Sequence, residues 1–361
     1  MKAPNDNYFY IPQIKRRNQK AAIFKYLTVL AIVFSISFLV FFLVDIVRAG
    51  YPAFTQTYIK IEVSINDEVV ENPYGAVNGK QLKIISRAWL RDLPLLIKSN
   101  PSWMNTKQEF WALANSEVDQ YLKGKESRTS ERDRAYVDEL KNDGKVELKF
   151  NTLFLLSGDS KIPENSGIYS AIIGSLLTMI VTIAIAFPIG VMTAIYLEEF
   201  APENKLTHII EVNINNLAAI PSILFGLLGL AIFINFFGVP RSSPLVGGMT
   251  LALMSLPVII VSSKAALKSV PASIRQAGFG LGLTKWQIVR DHVLPVAMPG
   301  ILTGSIISIA RAIGETAPLI IVGMIAFVPD AATSFSDAAT VLPAQIFTWA
   351  GMPEGMYIEK T

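Results

Sequence analysis

Long apolar stretches divide the chain and predict helices that cross a membrane. A helix needs about 20 consecutive apolar residues to span the hydrocarbon core. The first stretch exceeds the apolar core of about 7–15 residues usual in signal peptides, and Asp45 and Arg48 follow it, so we predict an uncleaved anchor. Five spans are expected: Tyr26–Val44, Ile168–Leu197, Ala218–Phe237, Leu245–Ser262 and Ile301–Phe327.

Residues 49–165 follow a different pattern, with dense and nearly balanced charges and no apolar run of spanning length. Alternation of apolar and polar residues predicts a strand around Ile59, Ile61, Val63 and Ile65. Helices with polar faces are predicted over Lys107–Leu122 and Glu131–Lys141, and a further strand over Val146–Leu155. We therefore expect a small α+β domain, here called the insert, between the first two spans.

Three prolines interrupt the predicted spans. Pro188, Pro221 and Pro257 mark hinges or unwound turns near a translocation path, or ordinary helix kinks, and the sequence leaves both open. The mixed segment Leu206–Asn216 is expected at the membrane interface. Ala339–Ala350 is too short and too polar to span.

The composition agrees with a membrane protein, since 51% of residues are hydrophobic, 17% are charged, and the mean hydropathy is +0.41. A net charge of +3 gives no reason to expect nucleic acid as a partner. With no cysteine and only His208 and His292, disulfides and thiolate sites are excluded, and we expect no metal site. The stretch Gly75–Gln81 is one residue short of a phosphate-binding loop, so we expect neither a catalytic site nor a cofactor.

Basic residues in short loops predict the orientation, because they concentrate on the cytoplasmic side. They occur in the N-terminal segment, as Lys15, Arg16, Arg17, Lys20 and Lys25, and in the loop 263–298, as Lys264, Lys268, Arg275, Lys285 and Arg290. Four predicted spans separate the two groups, so both fall on one side. We expect a cytoplasmic N-terminus and an outward-facing insert.

These patterns predict an all-α polytopic membrane protein with an inserted extracytoplasmic α+β domain. Its expected parts are a basic N-terminus (1–25), a first span (26–48), the insert (49–165), a membrane core (166–327) containing the loop 263–298, and a C-terminal segment (328–361).

The loop 263–298, here called the coupling segment, has the signals of two short helices. Pro271 suits a first helical turn, and Ser273/Gln276 and Thr284/Gln287 have capping-box spacing. Gly278-Phe-Gly-Leu-Gly282 predicts a sharp corner between the helices, and Pro295 is expected to end the second. Such a corner could dock into a soluble partner; a solvated connector is the alternative.

The coupling segment resembles the EAA motif of ABC importer permeases. Ala277, Gly282, Leu294 and Pro295 occupy motif positions in this sequence. Gln276 stands where the family usually has Glu, Gly278 where it has Ala, and His292 where it has Ile. The resemblance implies that this segment docks into a cleft on an ATPase subunit, although without a carboxylate at position 276.

A charged pair interrupts the fifth predicted span. Arg311 and Glu315 lie four residues apart, which places them on one helical face, about a third to a half of the way along it. Charges at membrane depth are costly and commonly mark a functional path. We expect Arg311 to attract an anion and Glu315 to limit its retention; a pair that only packs helices is the alternative.

The stretch Ile309-Ala-Arg-Ala-Ile-Gly-Glu-Thr-Ala-Pro-Leu319 resembles PstA-type phosphate permeases. Further resembling stretches are Gly174-Ser175, Pro188-Ile-Gly190, Tyr196-Leu-Glu-Glu-Phe200 and Ile220–Leu230. The resemblance implies a MetI-like, type I importer core in the inner membrane, with Thr316 beside the charged pair in the translocation path. It also implies an extra outward domain of a longer family branch, and a further apolar helix after Leu342–Gly351 that this sequence does not include.

The resemblance further implies partners: a PstC-type sister permease, an ATPase dimer that binds the ATP, and an extracytoplasmic phosphate-binding protein. Two alternatives remain open at this point. The first is a permease for another oxyanion, such as sulfate or molybdate. The second is a membrane sensor whose outward domain binds a ligand, although about five spans and no output domain argue against it.

Overall fold

The computed structural model describes residues 12–325 and 327–361, with side chains from residue 16 onward. The chain divides into two compact units, and the boundary between them along the sequence follows Pro52. Within the first, helix α1 (Pro12–Gly50) contains the predicted first span and is long and apolar enough to cross a membrane. Residues 1–11 of the predicted basic N-terminus lie outside the described residues.

The second unit begins with the insert, built on a three-stranded antiparallel sheet in the order β2-β1-β3. Its central strand, β1 (Thr55–Ser64), is confirmed where alternation predicted it, and the alternating isoleucine and valine side chains are buried. The flanking strands are β2 (Lys107–Leu113) and β3 (Val146–Phe150). The helices of the insert are α2 (Asp67–Glu71), α3 (Gln81–Ile84), α4 (Arg87–Ser99), α5 (Ser116–Leu122), α6 (Glu131–Asn142) and α7 (Thr152–Leu156).

Two predicted elements of the insert were wrong in part. The expected single helix Lys107–Leu122 is strand β2 followed by helix α5, because β2 pairs along β1 and the Asn115 side chain then caps α5. The expected strand Val146–Leu155 ends at Phe150, where Asn151 caps α7. The predicted helix Glu131–Lys141 is confirmed as α6.

The membrane core contains three further helices of spanning length and one bent pair. Helix α8 (Tyr169–Ile195) continues through a π-helical turn to Phe200, and α11 (Pro244–Lys268) packs against it. The remaining helices of the second unit are α9 (Lys205–Ala218), α10 (Ser222–Leu228), α12 (Ala272–Gly280), α13 (Lys285–Ile288), α14 (Leu294–Ile313), α15 (Ala317–Ile321), α16 (Leu342–Ala350) and α17 (Gly355–Lys360).

Two predicted spans differ from the structure. The expected straight span Ala218–Phe237 is instead the second half of a bent helix pair. The first half is α9, and the second half is α10 with a π-helical extension to Phe236. The two halves form an angle of 108° at a short break before Ser222. The expected span Ile301–Phe327 starts earlier, since one continuous helix runs from Lys285 to Ile313, and it stops at Ile313. The described residues thus contain four spanning helices, or five if the bent pair is one span.

Helix α11 is the central helix of the core and packs against α8 and α14. Small residues allow the close approach: a Cβ on Gly248 would lie 2.4 Å from Val181 of α8, and one on Gly304 of α14 would lie 2.4 Å from Ser262. Methyl-sized groups do not fit at these crossings, which is typical of helices packed within membranes. The C-terminal end of α11 lies next to one candidate site and its middle lies next to the other.

Candidate coupling and translocation sites

The coupling segment folds into two helices at a glycine corner, as predicted. Helix α12 ends at Gly280, Gly282 adopts a φ of +78°, and α13 begins at Lys285 behind the complete Thr284/Gln287 capping box. A positive φ is favourable only for glycine among common residues, so the corner depends on Gly282. Gly278 and Gly280 lie inside α12 rather than in the turn.

Three details of this segment were predicted wrongly. Pro271 is the residue before α12 rather than part of its first turn, so Ser273 is already inside the helix and forms no capping box with Gln276. Pro295 does not end the second helix. The chain widens into a π-helical turn over Val289–Val293 and continues as α14, with Pro295 in the first turn of that helix, where its missing N–H is tolerated.

The surface of the corner is apolar and exposed. Gln276 and Ala277 are exposed, whereas Gly278 is buried because Ile288 lies against it. Phe279, Leu281 and Trp286 are 55%, 78% and 56% exposed. Large apolar side chains exposed together at one turn are typical of a surface that another protein covers. Sequence analysis missed these three residues, although large apolar residues within a polar segment were a usable signal.

An ion pair anchors this corner to the membrane core. The guanidinium of Arg275 on α12 contacts the nearly buried carboxylate of Glu199, with 2.6 Å between Nη2 and Oε1. The same guanidinium donates to the carbonyls of Leu267 and Val270 at the end of α11, at 3.0 and 2.8 Å. One side chain therefore ties α12 to the ends of both α8 and α11.

Aromatic contacts reinforce the anchor. The rings of Phe200 and Trp286 lie 6.3 Å apart between centroids, and Lys285 Nζ lies 5.5 Å from the Phe200 ring. These contacts join α13 to the end of α8. Sequence analysis named Glu199 only as part of a family motif and Arg275 only as a basic residue that indicates orientation. It did not predict that they pair, because 76 residues separate them.

The second candidate site lies where the fifth predicted span breaks. Arg311 occupies the last turn of α14, and Glu315 lies just beyond it, before α15 begins. The predicted pairing is present, with 3.4 Å between Arg311 Nε and Glu315 Oε1. The pair is at a helix end rather than a third to a half of the way along, and the Arg311 side chain is 58% exposed against 18% for Glu315.

The depth of this break follows from the packing of α14. Ser308, one turn before Arg311, donates to the carbonyl of Ser255 at 3.4 Å, and Ser255 lies near the middle of α11. Non-helical backbone at such depth is tolerated where it is buried in protein or lines a polar cavity. Thr316 lies in the same break, partly buried, and completes a group of polar side chains at the end of α14.

The three candidate hinge prolines occupy different settings. Pro188 and Pro257 lie inside the continuous helices α8 and α11. Pro221 lies in the short break between α9 and α10, where the chain bends by 108°. Only this bend accompanies a break in helical structure, and hinge motion at all three prolines stays a prediction. Among residues 12–325 and 327–361, no group of three metal-ligating side chains comes together.

Comparison with known proteins gives two family matches. Residues 186–352 match the family described as "Binding-protein-dependent transport system inner membrane component". Residues 12–83 and 75–132 match a domain of unknown function, DUF3333, and this match covers α1 and much of the insert.

Individual relatives agree with the first match. The chain is 33% identical over 46% of its length to the "Probable ABC transporter permease protein YqgI" of Bacillus subtilis (strain 168) and covers 56% of that protein. It is 36% identical over 44% of its length to the "Phosphate transport system permease protein PstA 1" of Mycobacterium tuberculosis (strain ATCC 25618 / H37Rv), covering 52% of it. It is 33% identical over 53% of its length to the "Phosphate transport system permease protein PstA" of Pasteurella multocida (strain Pm70), covering 66% of that protein. The chain spans about half the length of the first two relatives.

Proposed function

Residues 186–352 match the family of binding-protein-dependent transport system inner membrane components, and on that premise we propose that the chain is the permease subunit of an ATP-driven phosphate importer. The family match supports the expected multi-pass inner membrane protein of the importer permease fold, as do the four to five helices of spanning length within the described residues. Phosphate is proposed because several relatives are named phosphate transport permeases.

The coupling segment supports a docking role. Its corner presents Phe279, Leu281 and Trp286 to a partner, while Arg275 holds the corner to the ends of α8 and α11. The exposed apolar side chains can bind a partner, while the ion pair keeps the corner attached to the membrane core. A movement of the partner would then also move the ends of α8 and α11. We infer that ATPase subunits bind here, through Gln276, Ala277 and the neighbouring apolar residues, and that they supply the only nucleotide chemistry, so this chain needs no cofactor.

The break after α14 supports a translocation role, and it is the observation that carries the substrate class. Arg311 is a permanently charged donor held at membrane depth at a helix end, with much of its guanidinium uncovered. An uncovered guanidinium there attracts a passing oxyanion, and Glu315 offsets part of that attraction so that the anion can leave. Arg311, Glu315 and Thr316 are the proposed path residues.

The proposed assembly follows from the orientation. The N-terminus and the coupling segment face the cytoplasm, and the insert faces outward. A sister permease completes the path, two ATPase subunits bind the corner, and an extracytoplasmic phosphate-binding protein delivers the anion. ATP binding closes the ATPase pair, moves α12, and opens the membrane core outward; hydrolysis reverses the change.

Phosphate uptake in cells lacking their own importer tests this proposal. The cells would carry the chain with its partner subunits, as wild type, Arg311→Ala and Arg311→Lys. We expect ATP-dependent uptake that excess sulfate and molybdate do not inhibit, lost in Arg311→Ala and partly retained in Arg311→Lys, which keeps the charge. Uptake competed by sulfate or molybdate would assign another oxyanion, and full uptake by Arg311→Ala would remove Arg311 from the path.

A further inference from the structure

The insert contains an open cavity of about 970 Å³ that plays no part in the proposed transport steps. Three segments of the chain line it: residues 74–91, 115–133 and 161–164. Its volume is at the upper end of the range usual for small-molecule sites, roughly 300–1,000 Å³. A single tetrahedral oxyanion would leave most of this volume empty.

The charges around this cavity are unbalanced. Five basic side chains line it, against the three carboxylates of Glu117, Asp133 and Glu164. The basic residues are Lys83, Arg87, Arg91, Arg128 and Lys161. Within the part of the chain that the structure describes, none of these five forms an ion pair, whereas other lysines of the insert do. Those paired lysines are Lys60, Lys107, Lys123, Lys125, Lys145 and Lys149.

The three carboxylates are occupied by neutral donors instead. Glu117 accepts from the backbone N–H of Arg128, Asp133 accepts from the Ser130 hydroxyl at 2.6 Å, and the buried Glu164 accepts from the backbone N–H of Ser116. The cavity therefore keeps its acidic groups engaged and its cations available. Arg91 is also oriented, since its Nε donates to the Tyr74 hydroxyl at 3.3 Å.

The wall of the cavity is partly apolar. Leu82 is 38% exposed, and Ile85, Val118, Ile162 and Pro163 complete the apolar lining. Arginine side chains match the planar, bidentate geometry of carboxylate and phosphate groups. A ligand that uses both features carries a strongly negative oxyanion group next to an apolar portion.

We propose that this cavity binds a small organic molecule whose doubly charged oxyanion group contacts Arg87, Arg91 and Arg128 while its apolar portion lies against Leu82 and its neighbours. The double charge comes either from a phosphate monoester or from a dicarboxylate. The cavity is separate from the break at Arg311, so the proposal is independent of the transported substrate.

Direct binding to the full chain, purified in its membrane complex, tests this inference. The probes are phenyl phosphate and phthalate, which share a ring but differ in the oxyanion, with inorganic phosphate for comparison, measured by equilibrium dialysis. At pH 8 phenyl phosphate is doubly charged, because the second pKa of a phosphate monoester is about 6. We expect saturable binding of one ring-bearing probe, weakened by salt.

The decisive variants are matched in charge. The triple variant R87Q/R91Q/R128Q is expected to weaken binding by at least about tenfold, because charge-assisted contacts are lost. The control K98Q/R132Q/K141Q removes three exposed insert cations that do not line the cavity, and Arg311→Gln alters the transport path; both should bind like wild type. Single variants Arg87→Gln and Arg91→Gln replace the triple variant if its thermal unfolding midpoint falls.

Four outcomes would overturn the inference. They are absence of saturable binding by either ring-bearing probe, equal loss in both triple variants, loss in Arg311→Gln, and inorganic phosphate binding as tightly as phenyl phosphate. Equal loss in both triple variants would mean that only net charge matters. Loss in Arg311→Gln would mean that the probe binds in the transport path. Equally tight binding of inorganic phosphate would mean that the apolar wall does not contribute to binding.

Discussion

At the scale of single residues, Gly278 allows α12 to pack closely on α13 because it has no side chain. A Cβ at this position would lie 2.6 Å from Ile288 Cγ1 and 2.9 Å from its Cδ1. We predict that Gly278→Ala destabilises the corner by about 1–3 kcal/mol, the usual cost of overpacking, and reduces the amount of ATPase that co-purifies. Thermal unfolding of the purified chain and the co-purification ratio measure both effects.

The neighbouring glycine supplies the control. Gly280 is helical, and no atom lies within 4 Å of the position that an added Cβ would take, so Gly280→Ala should be neutral or stabilising by up to about 1 kcal/mol. In a double-mutant cycle, Gly278→Ala should cost less stability when Ile288 is already alanine than when it is isoleucine, since the clashing atoms are then absent. If Gly278→Ala behaved like Gly280→Ala, close packing at Ile288 would not determine the shape of the corner.

At the scale of elements, the Glu199–Arg275 pair joins α12 to α8 and α11. Removing one partner of a buried ion pair costs about 3–5 kcal/mol, and the 23% exposure of Arg275 places this pair below that range. We predict that Glu199→Gln and Arg275→Gln each lower the unfolding midpoint and the coupling of ATP hydrolysis to uptake. The double variant should be no worse than the more damaging single variant.

Glu198, which precedes Glu199 in the chain, tests whether the effect is specific to the glutamate that pairs with Arg275. Glu198 approaches Lys264 only at 3.9 Å, so Glu198→Gln should have little effect on either measurement. Strictly additive losses from Glu199→Gln and Arg275→Gln in the double-mutant cycle would show that the two side chains act independently.

Predictability from sequence also differs between elements. The spans α1, α8 and α11 were found because uninterrupted apolar residues are a local signal. The end of α14 at Ile313 was missed because apolar residues resume after Thr316 and continue to Phe327, whereas in the structure this stretch begins a separate helix, α15, that packs against α10. Strand β2 was missed because it is stabilised by a non-local contact, its pairing with β1, which joins residues about 50 positions apart.

The candidate sites show the same limit. Gly282 and the Thr284/Gln287 box were predictable from local turn and capping chemistry, and the Arg311–Glu315 pairing from four-residue spacing. The Glu199 anchor and the cavity of the insert combine side chains from distant segments, and no local pattern brings such residues together.

At the scale of the whole molecule, the insert and the C-terminal helix α17 belong to one compact unit, and buried charges join them. Lys123 of α5 lies 2.7 Å from Asp119 and 3.0 Å from Glu359 of α17, and all three side chains are at most 5% exposed. Lys360 of the same helix donates to the carbonyls of Pro163 and Ser166 at 2.6 and 2.8 Å. Burial lowers the pKa of Lys360 to about 8.

Charges this deeply buried make the joint sensitive to the loss of a single partner. We predict that Glu359→Gln destabilises the chain by about 3 kcal/mol, the lower end for a broken buried pair, because Lys123 keeps Asp119. The insert should then become accessible to limited proteolysis while the membrane core stays protected. Glu354→Gln is the control, since Glu354 lies next to the same helix and forms no ion pair with any described residue. Equal proteolysis of the two variants would mean that packing of α17, rather than its charge, holds the insert in place.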